Sequence, residues 1–255
     1  MRKLLVCLSA SFLITSFLMG CAIDGRGGRE SESELGDGGG PKRLFNGKNL
    51  DGWRVECKPD DKRKVFWRAR DGAIVCNSMG EQEHDYVWLI TEEEFSDFEL
   101  RMKIQTFRDS PGNSGVQVRS RFDGEEQWLD GPQVDIHPPE PWRCGYIYDE
   151  TRELKRWIHP SLPSWDIERL QVKGGQEWKH ADEGDGWNTL RIVCRGTAVK
   201  TFVNGNKIAD FDGAGVLDDE AHRRHNVGMK GHIALQLHAD DELHIKYKDI
   251  LVDSR

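Results

Sequence analysis

Between residues 98 and 105 the chain alternates without a break: Phe98, Leu100, Met102 and Ile104 against Glu99, Arg101, Lys103 and Gln105. A period of two is the mark of a strand with one face buried. The same period runs through 190–194, 198–203 and 208–211, which predict a meander turned at Arg195-Gly196 and Asn204-Gly205. Asn-Gly supplies the positive φ angles that a two-residue hairpin turn requires. Residues 233–237 and 243–247 alternate likewise. No long helical period emerges, and 91–95 reads as a single helical turn. Many antiparallel strands with Gly-rich turns predict an all-β fold, two stacked sheets forming a sandwich or barrel.

The polar faces of these strands differ. Glu99 to Gln105 is a plain solvated face. The segment 131–139, Gly-Pro-Gln-Val-Asp-Ile-His-Pro-Pro, sets Gln133, Asp135 and His137 on one face, about 6 to 7 Å apart per step. An amide, a carboxylate and an imidazole in a row suit hydrogen bonding to a polar ligand or moving a proton. Gln117, Arg119 and Arg121, and Gln236 with His238, are similarly rich in groups that bind or react. These three strands are expected to line one concave sheet that forms the site; a merely solvated sheet is the bland alternative.

The N-terminus bears on location. Arg2 and Lys3 precede an apolar run from Leu4 to Met19, too short for a secure membrane span, which ends in Gly20-Cys21. This resembles a bacterial lipoprotein signal over residues 1–20, with Cys21 lipidated; a plain secretory signal or a buried N-terminal helix is the alternative. Residues 21–40, Gly-rich and charged, read as a tether with a reach on the order of 25 Å. The expected location is the bacterial cell envelope, lipid-anchored, periplasmic or at the outer-membrane surface. The chain carries a net charge of -8, and loss of Arg2 and Lys3 leaves 34 basic against 44 acidic side chains, or -10. That argues against nucleic acid or anionic lipid as partners. Past Cys7 and Cys21, four cysteines remain: Cys57 and Cys76 are the first candidates for a disulfide, and Cys194 reads as a core thiol. No CxxC spacing points to zinc.

Residues 138–186 are less regular and hold Trp142, Trp157, Trp165 and Trp178, flanked by Trp128 and Trp187. Indole faces stack on the C–H faces of sugar rings, although several of these rings are expected simply to plug the sandwich. Asp218, Asp219, Glu220, His222 and His225 would suit a metal only if carried on a helix; a charged surface loop is the favoured reading.

A family resemblance rests on ordered landmarks. These are Leu44 to Trp53 (LFNGKNLDGW), Trp67 to Ile74, Phe95 to Leu100, Gly112-Asn113-Ser114-Gly115 running to Arg119, Trp187-Asn188-Thr189, Val203-Asn204-Gly205, and Gly231 to His238. Together they resemble the bacterial domain family named for 3-keto-glucoside 1,2-lyase and 3-keto-2-hydroxyglucal hydratase activity, also called 3-keto-disaccharide hydrolase. The resemblance spans about residues 43–253 within a domain placed at 41–255. It implies a concanavalin A-like jelly-roll fold. It also implies an enzyme that removes the C2 proton of a 3-keto-glycoside, expels the C1 substituent and adds water back. Arg119 is then the candidate enolate clamp, or a salt-bridge partner of Asp135. His238 or His137 is the candidate base or acid, and Asp135 a base, an orienting group or, with His137, a divalent-metal ligand. Gln133, Gln236 and Tyr148 are candidate hydroxyl contacts, with Trp142 in the binding site. No cofactor is certain. One departure stands out: the family's Glu-x-Gln reads here Gln133-Val134-Asp135.

Two rival readings fit parts of the same sequence. A glucanase on the same fold needs paired carboxylates, and Gln133 occupies the nucleophile's place. A non-catalytic carbohydrate-binding module would account for the tryptophans and the polar face without a base.

Overall fold

The structure is a computed structural model and describes residues 40–139, 142–161 and 177–254. Its strands in chain order are β1 (Lys42–Arg43), β2 (Trp53–Cys57), β3 (Trp67–Arg70), β4 (Ala73–Asn77), β5 (Val87–Phe95), β6 (Phe98–Thr106), β7 (Ser114–Asp123) and β8 (Trp128–Asp130). There follow β9 (Pro132–Ile136), β10 (Ile147–Asp149), β11 (Arg156–His159), β12 (Asn188–Arg195), β13 (Ala198–Val203), β14 (Asn206–Asp212), β15 (Gly231–Leu237) and β16 (His244–Ser254), with one short α-helix among the described residues, α1 (Glu220–His225).

These strands build two antiparallel sheets, the all-β sandwich that the alternation predicts, with the jelly-roll fold that the family resemblance implies. The first sheet runs β14-β13-β12-β6-β16-β4-β3, with β1 added beside β16. The second runs β11-β10-β9-β7-β15-β5-β2, with β8 folded onto β7. The predicted meander is β12-β13-β14, and Asn204 and Gly205 turn it with φ of 49° and 82°. The apolar halves of each alternation meet between the sheets: Leu100, Ile104, Ile192 and Ile245 from one, Leu89, Val116, Val134 and Leu235 from the other. At about 25 cal/mol per Å², side chains of this size each contribute roughly 1.5–3 kcal/mol on burial.

Several expectations are corrected. Residues 91–95 are not a helical turn but the end of β5, where the register against β15 shifts around Ile233. Thr91 Oγ1 holds that irregularity, donating to the Glu93 carbonyl and accepting from the Ile233 amide. Cys57 and Cys76 are both buried free thiols, one at the end of β2 in the second sheet and one in β4 of the first. Cys194 is a buried core thiol whose pKa is pushed up to about 12, chiefly by burial. The segment 218–225 is not a loop. Asp219 caps α1 by accepting from the His222 amide, and the His222 ring is fully buried against Asp219 and Asp149.

Candidate functional site

The strands carrying the reactive polar faces, β9, β7 and β15, are immediate neighbours in the second sheet. Their outward side chains include Gln133 and Asp135 from β9, Gln117 from β7 and Gln236 from β15, all buried although they face away from the core. They are buried because the sheet is roofed. The β7–β8 hairpin lays Trp128 and Leu129 over the outer face, against Tyr86 and Trp88 of the β5 side.

Beside this roof is a cavity of about 370 Å³ lined by Gln133, Asp135, Glu150, His238, Arg143 and Tyr148. Tyr86, Trp128, Trp157, Asn113 and Lys155 complete its wall. Gly115 matters to its floor. A Cβ there would lie 2.2 Å from Cδ of Gln133, so only glycine lets that amide lie across β7.

Glu150 is the most perturbed acid in the cavity. It follows β10 directly, two residues after Tyr148, and its backbone is held from both sides. Its amide donates to the Gly131 carbonyl at 3.0 Å, and its carbonyl accepts from Trp128 Nε1 at 2.8 Å. Burial pushes its carboxyl up to about 7; Lys155 opposes the shift, while the charge of Asp135 adds to it. Lys155 itself lies over the Trp128 ring, its Nζ 3.7 Å from the centroid. The Gln236 amide comes close enough to favour the Glu150 carboxylate, yet neither amide atom completes a hydrogen bond among the described residues. Gln133 Oε1 is likewise without a partner there. Buried amides without partners are costly, and a ligand hydroxyl is the natural partner for them.

Asp135 is engaged by Arg143, whose Nε donates to Oδ2 at 2.8 Å, and more weakly by Gln133 Nε2 at 3.4 Å. His238 has a definable tautomer. Its Nδ1 lies 3.0 Å from the Ala239 carbonyl, which can only accept, so in the neutral ring Nδ1 carries the hydrogen. Nε2 then accepts from the Tyr86 hydroxyl at 2.8 Å. Tyr86 and Tyr148 both have their phenols raised above the ordinary range, mainly by burial.

Of the residues expected from sequence, Gln133, Asp135, Tyr148 and His238 line the cavity, with Gln236 beside Glu150. Three do not join them. Arg119 sits at a bulge in β7 with φ 52° and turns away from the face. Its guanidinium, fully buried, donates to the Ser96, Gly196 and Gly228 carbonyls and to Asp97, so it ties turns together and is not a partner of Asp135. His137 lies past the end of β9, its Nδ1 3.2 Å from the Pro139 carbonyl. Asp135 is held by Arg143, and His137 is not among the side chains lining the cavity. Trp142 is packed in the main core, 2% exposed. Trp165 lies outside the described residues. His222 and His225 face different partners, and no group of three metal-ligating side chains occurs among the described residues.

The residues missed from sequence are Glu150, Arg143, Tyr86, Asn113 and Lys155. Trp128 and Trp157 were noted only as members of a group. For Glu150 a signal existed: in Ile147-Tyr148-Asp149-Glu150 the alternation that points Tyr148 outward points Glu150 the same way.

Comparison with known proteins agrees with this architecture. The profile of the 3-keto-alpha-glucoside-1,2-lyase-like domain matches residues 40–253. Two solved candidate glycosyl hydrolases from Parabacteroides distasonis share the fold. One is 18% identical with a TM-score of 0.55, covering 85% of this chain and 94% of its own. The other is 22% identical with a TM-score of 0.53, covering 85% and 100%. The carbohydrate-binding module CBM66 from Bacillus subtilis is 12% identical, TM-score 0.51, covering 80% and 96%. No curated protein matches in sequence.

Proposed function

Because the chain belongs to the 3-keto-alpha-glucoside-1,2-lyase-like domain family, we propose that it is an enzyme acting on 3-keto-glycosides by C2 deprotonation and β-elimination, followed by hydration. The observation that carries this reading is Glu150: a buried carboxyl with its pKa raised to about 7, facing a polar cavity where Gln133 Oε1 and the Gln236 amide have no partner among the described residues. A general base works best when its pKa is near the working pH.

The ketone at C3 acidifies the C2 hydrogen. Glu150 takes that proton as the C2–H bond breaks, and the electron pair moves onto the C3 oxygen as an enolate. Arg143 and Lys155, the cations lining the cavity, stabilise that oxygen. The enolate then expels the C1 oxygen substituent, which needs a proton. The Tyr86–His238 pair is placed to supply it, the imidazole after protonation or the phenol through it. Water adding at C1 of the resulting enone, with a proton returned to C2, completes net hydrolysis. Gln133 and Gln236 take sugar hydroxyls, and Trp128 and Trp157 offer ring faces to the sugar's C–H surface. The volume, about 370 Å³, lies at the small end of ligand pockets and suits a single ring with part of its aglycone. The apolar run before Gly20-Cys21 supports a lipid anchor at Cys21 and a place in the cell envelope.

Release of the aglycone from a synthetic 3-keto-glucoside is the test. Glu150→Gln should keep substrate binding and lower turnover by about 10²–10⁴-fold. Binding by the wild-type chain without turnover would instead establish a carbohydrate-binding module.

A further inference from the structure

The outer face of the first sheet lies on the opposite side of the sandwich from the cavity, and its charge runs against that of the chain. Across β1, β6, β12, β13, β14 and β16 it presents Arg43, Arg101, Lys103, Arg191, Lys200, Lys207, Lys246 and Lys248 against Glu99, Asp210, Asp249 and Asp253. Arg195 and Asp212 offset each other at the rim. Two like-charge pairs stand in direct register, Lys103 opposite Lys248 and Arg101 opposite Arg191. Such pairs oppose folding.

The acids do not neutralise this face. Glu99 meets both Arg101 at 2.6 Å and Arg191 at 3.6 Å. Asp249 meets both Lys103 at 3.0 Å and Arg43 at 3.8 Å. Asp210 meets both Lys200 at 3.3 Å and Lys207 at 2.7 Å. Each of these three carboxylates is thus shared by two cations. Lys248 and Lys246 lie over the Trp187 and Phe107 rings instead, at 3.9 and 5.1 Å. Between the cations runs a groove of about 480 Å³ lined by Arg43, Arg101, Arg191, Phe202, Leu251 and Asp249. Cations beside half-buried apolar side chains, with Arg191 lying over the Phe202 ring, suit a surface that presents anionic headgroups.

The backbone also points there. The described chain begins at Gly40 and enters this sheet at once, β1 pairing with Leu251 and Val252 of β16. Residues 22–39 alone separate Cys21, the expected lipid site, from the described chain that enters this sheet. We propose that the outer face of the first sheet is a docking surface for an anionic phospholipid membrane, a second contact that leaves the cavity facing away from the bilayer. Beside a lipid anchor, a basic patch is a standard electrostatic contribution to binding an anionic membrane surface. The chain's negative net charge, which argued against anionic lipid, conceals this local excess. The proposal is independent of the proposed activity.

The test uses the full chain on vesicles of phosphatidylglycerol and phosphatidylcholine in equal parts, or of phosphatidylcholine alone. Amine acetylation is read by mass spectrometry. Lys103, Lys200, Lys207 and Lys248 should be protected on the anionic vesicles by on the order of fivefold, and the protection should vanish at about 1 M salt. Lys58, Lys64 and Lys155 serve as references. The variant Arg101→Glu/Arg191→Glu, checked for a native circular dichroism spectrum, should lose the protection and keep its turnover. Equal labelling on the two vesicle types overturns the proposal. So does equal protection by a soluble anionic polysaccharide in the absence of vesicles.

Discussion

Glu150 carries two opposite pH signatures, and together they identify it. As a base it must be ionised, so turnover should rise with pH through about 7 and lose that limb in Glu150→Gln. For stability the sign is reversed. The folded carboxyl, raised from 4.5 to about 7, binds its proton more tightly than the unfolded one. Its contribution is full below about pH 4.5 and is lost as pH rises through 7, a loss on the order of 3 kcal/mol. Urea midpoints measured from pH 5 to 8.5 should therefore fall more for the wild type than for Glu150→Gln. His222 follows the same rule. Burial opposes its charge, but Asp149 and Asp219 outweigh it and raise its pKa, so its stabilising charge is lost as pH rises through the raised value. Arg119 belongs to a different class. Arg119→Met leaves three carbonyls without their donor and should cost about 3 kcal/mol in denaturant titration, with turnover per folded molecule unchanged. Little of that cost comes from the ion pair, because Asp97 is 40% exposed and can rehydrate.

Among the elements, what could be read ahead of the structure tracked the regularity of each strand. The period of two placed Gln133 and Asp135 on the cavity face because β9 is straight through both. It failed at His137, where the strand ends at Ile136 before two prolines. It failed again at Arg119, because its positive φ at a bulge breaks the alternation and swings its own side chain off the face. Trp142 shows why an aromatic in an irregular segment is a poor pointer: its area is better used inside the core than in a wall. Glu150 escaped notice because its perturbation arises from tertiary cover. A short strand, β10, delivers it, but the β7–β8 hairpin desolvates its surroundings. That hairpin is the element to test. Trp128→Ala removes both a ring face and the donor to the Glu150 carbonyl, and should raise KM about tenfold in steady-state kinetics, given ~1–1.5 kcal/mol for an aromatic contact. Trp128→Phe keeps the ring and should recover most of the lost affinity.

For the whole molecule, the sandwich was legible and its strand order was not. Alternation says which side of a strand is buried, but not which strand lies beside it, and here the neighbours are distant in sequence. β15 sits between β5 and β7, and β16 between β4 and β6. The departure of Gln133-Val134-Asp135 from the family pattern looks different at this scale. The cavity does not depend on β9 alone for a carboxylate, because Glu150 arrives from the neighbouring strand's end. The central position of β16 has a further consequence, for the order of events when the chain is made. Until residues 244–254 are present, β6 lacks one of its two neighbours and the edge of β4 stands open. The first sheet cannot close early around a partial chain. Of the strands in the first sheet, the one that joins its two parts comes last in chain order, so that sheet closes only after its other strands have been made.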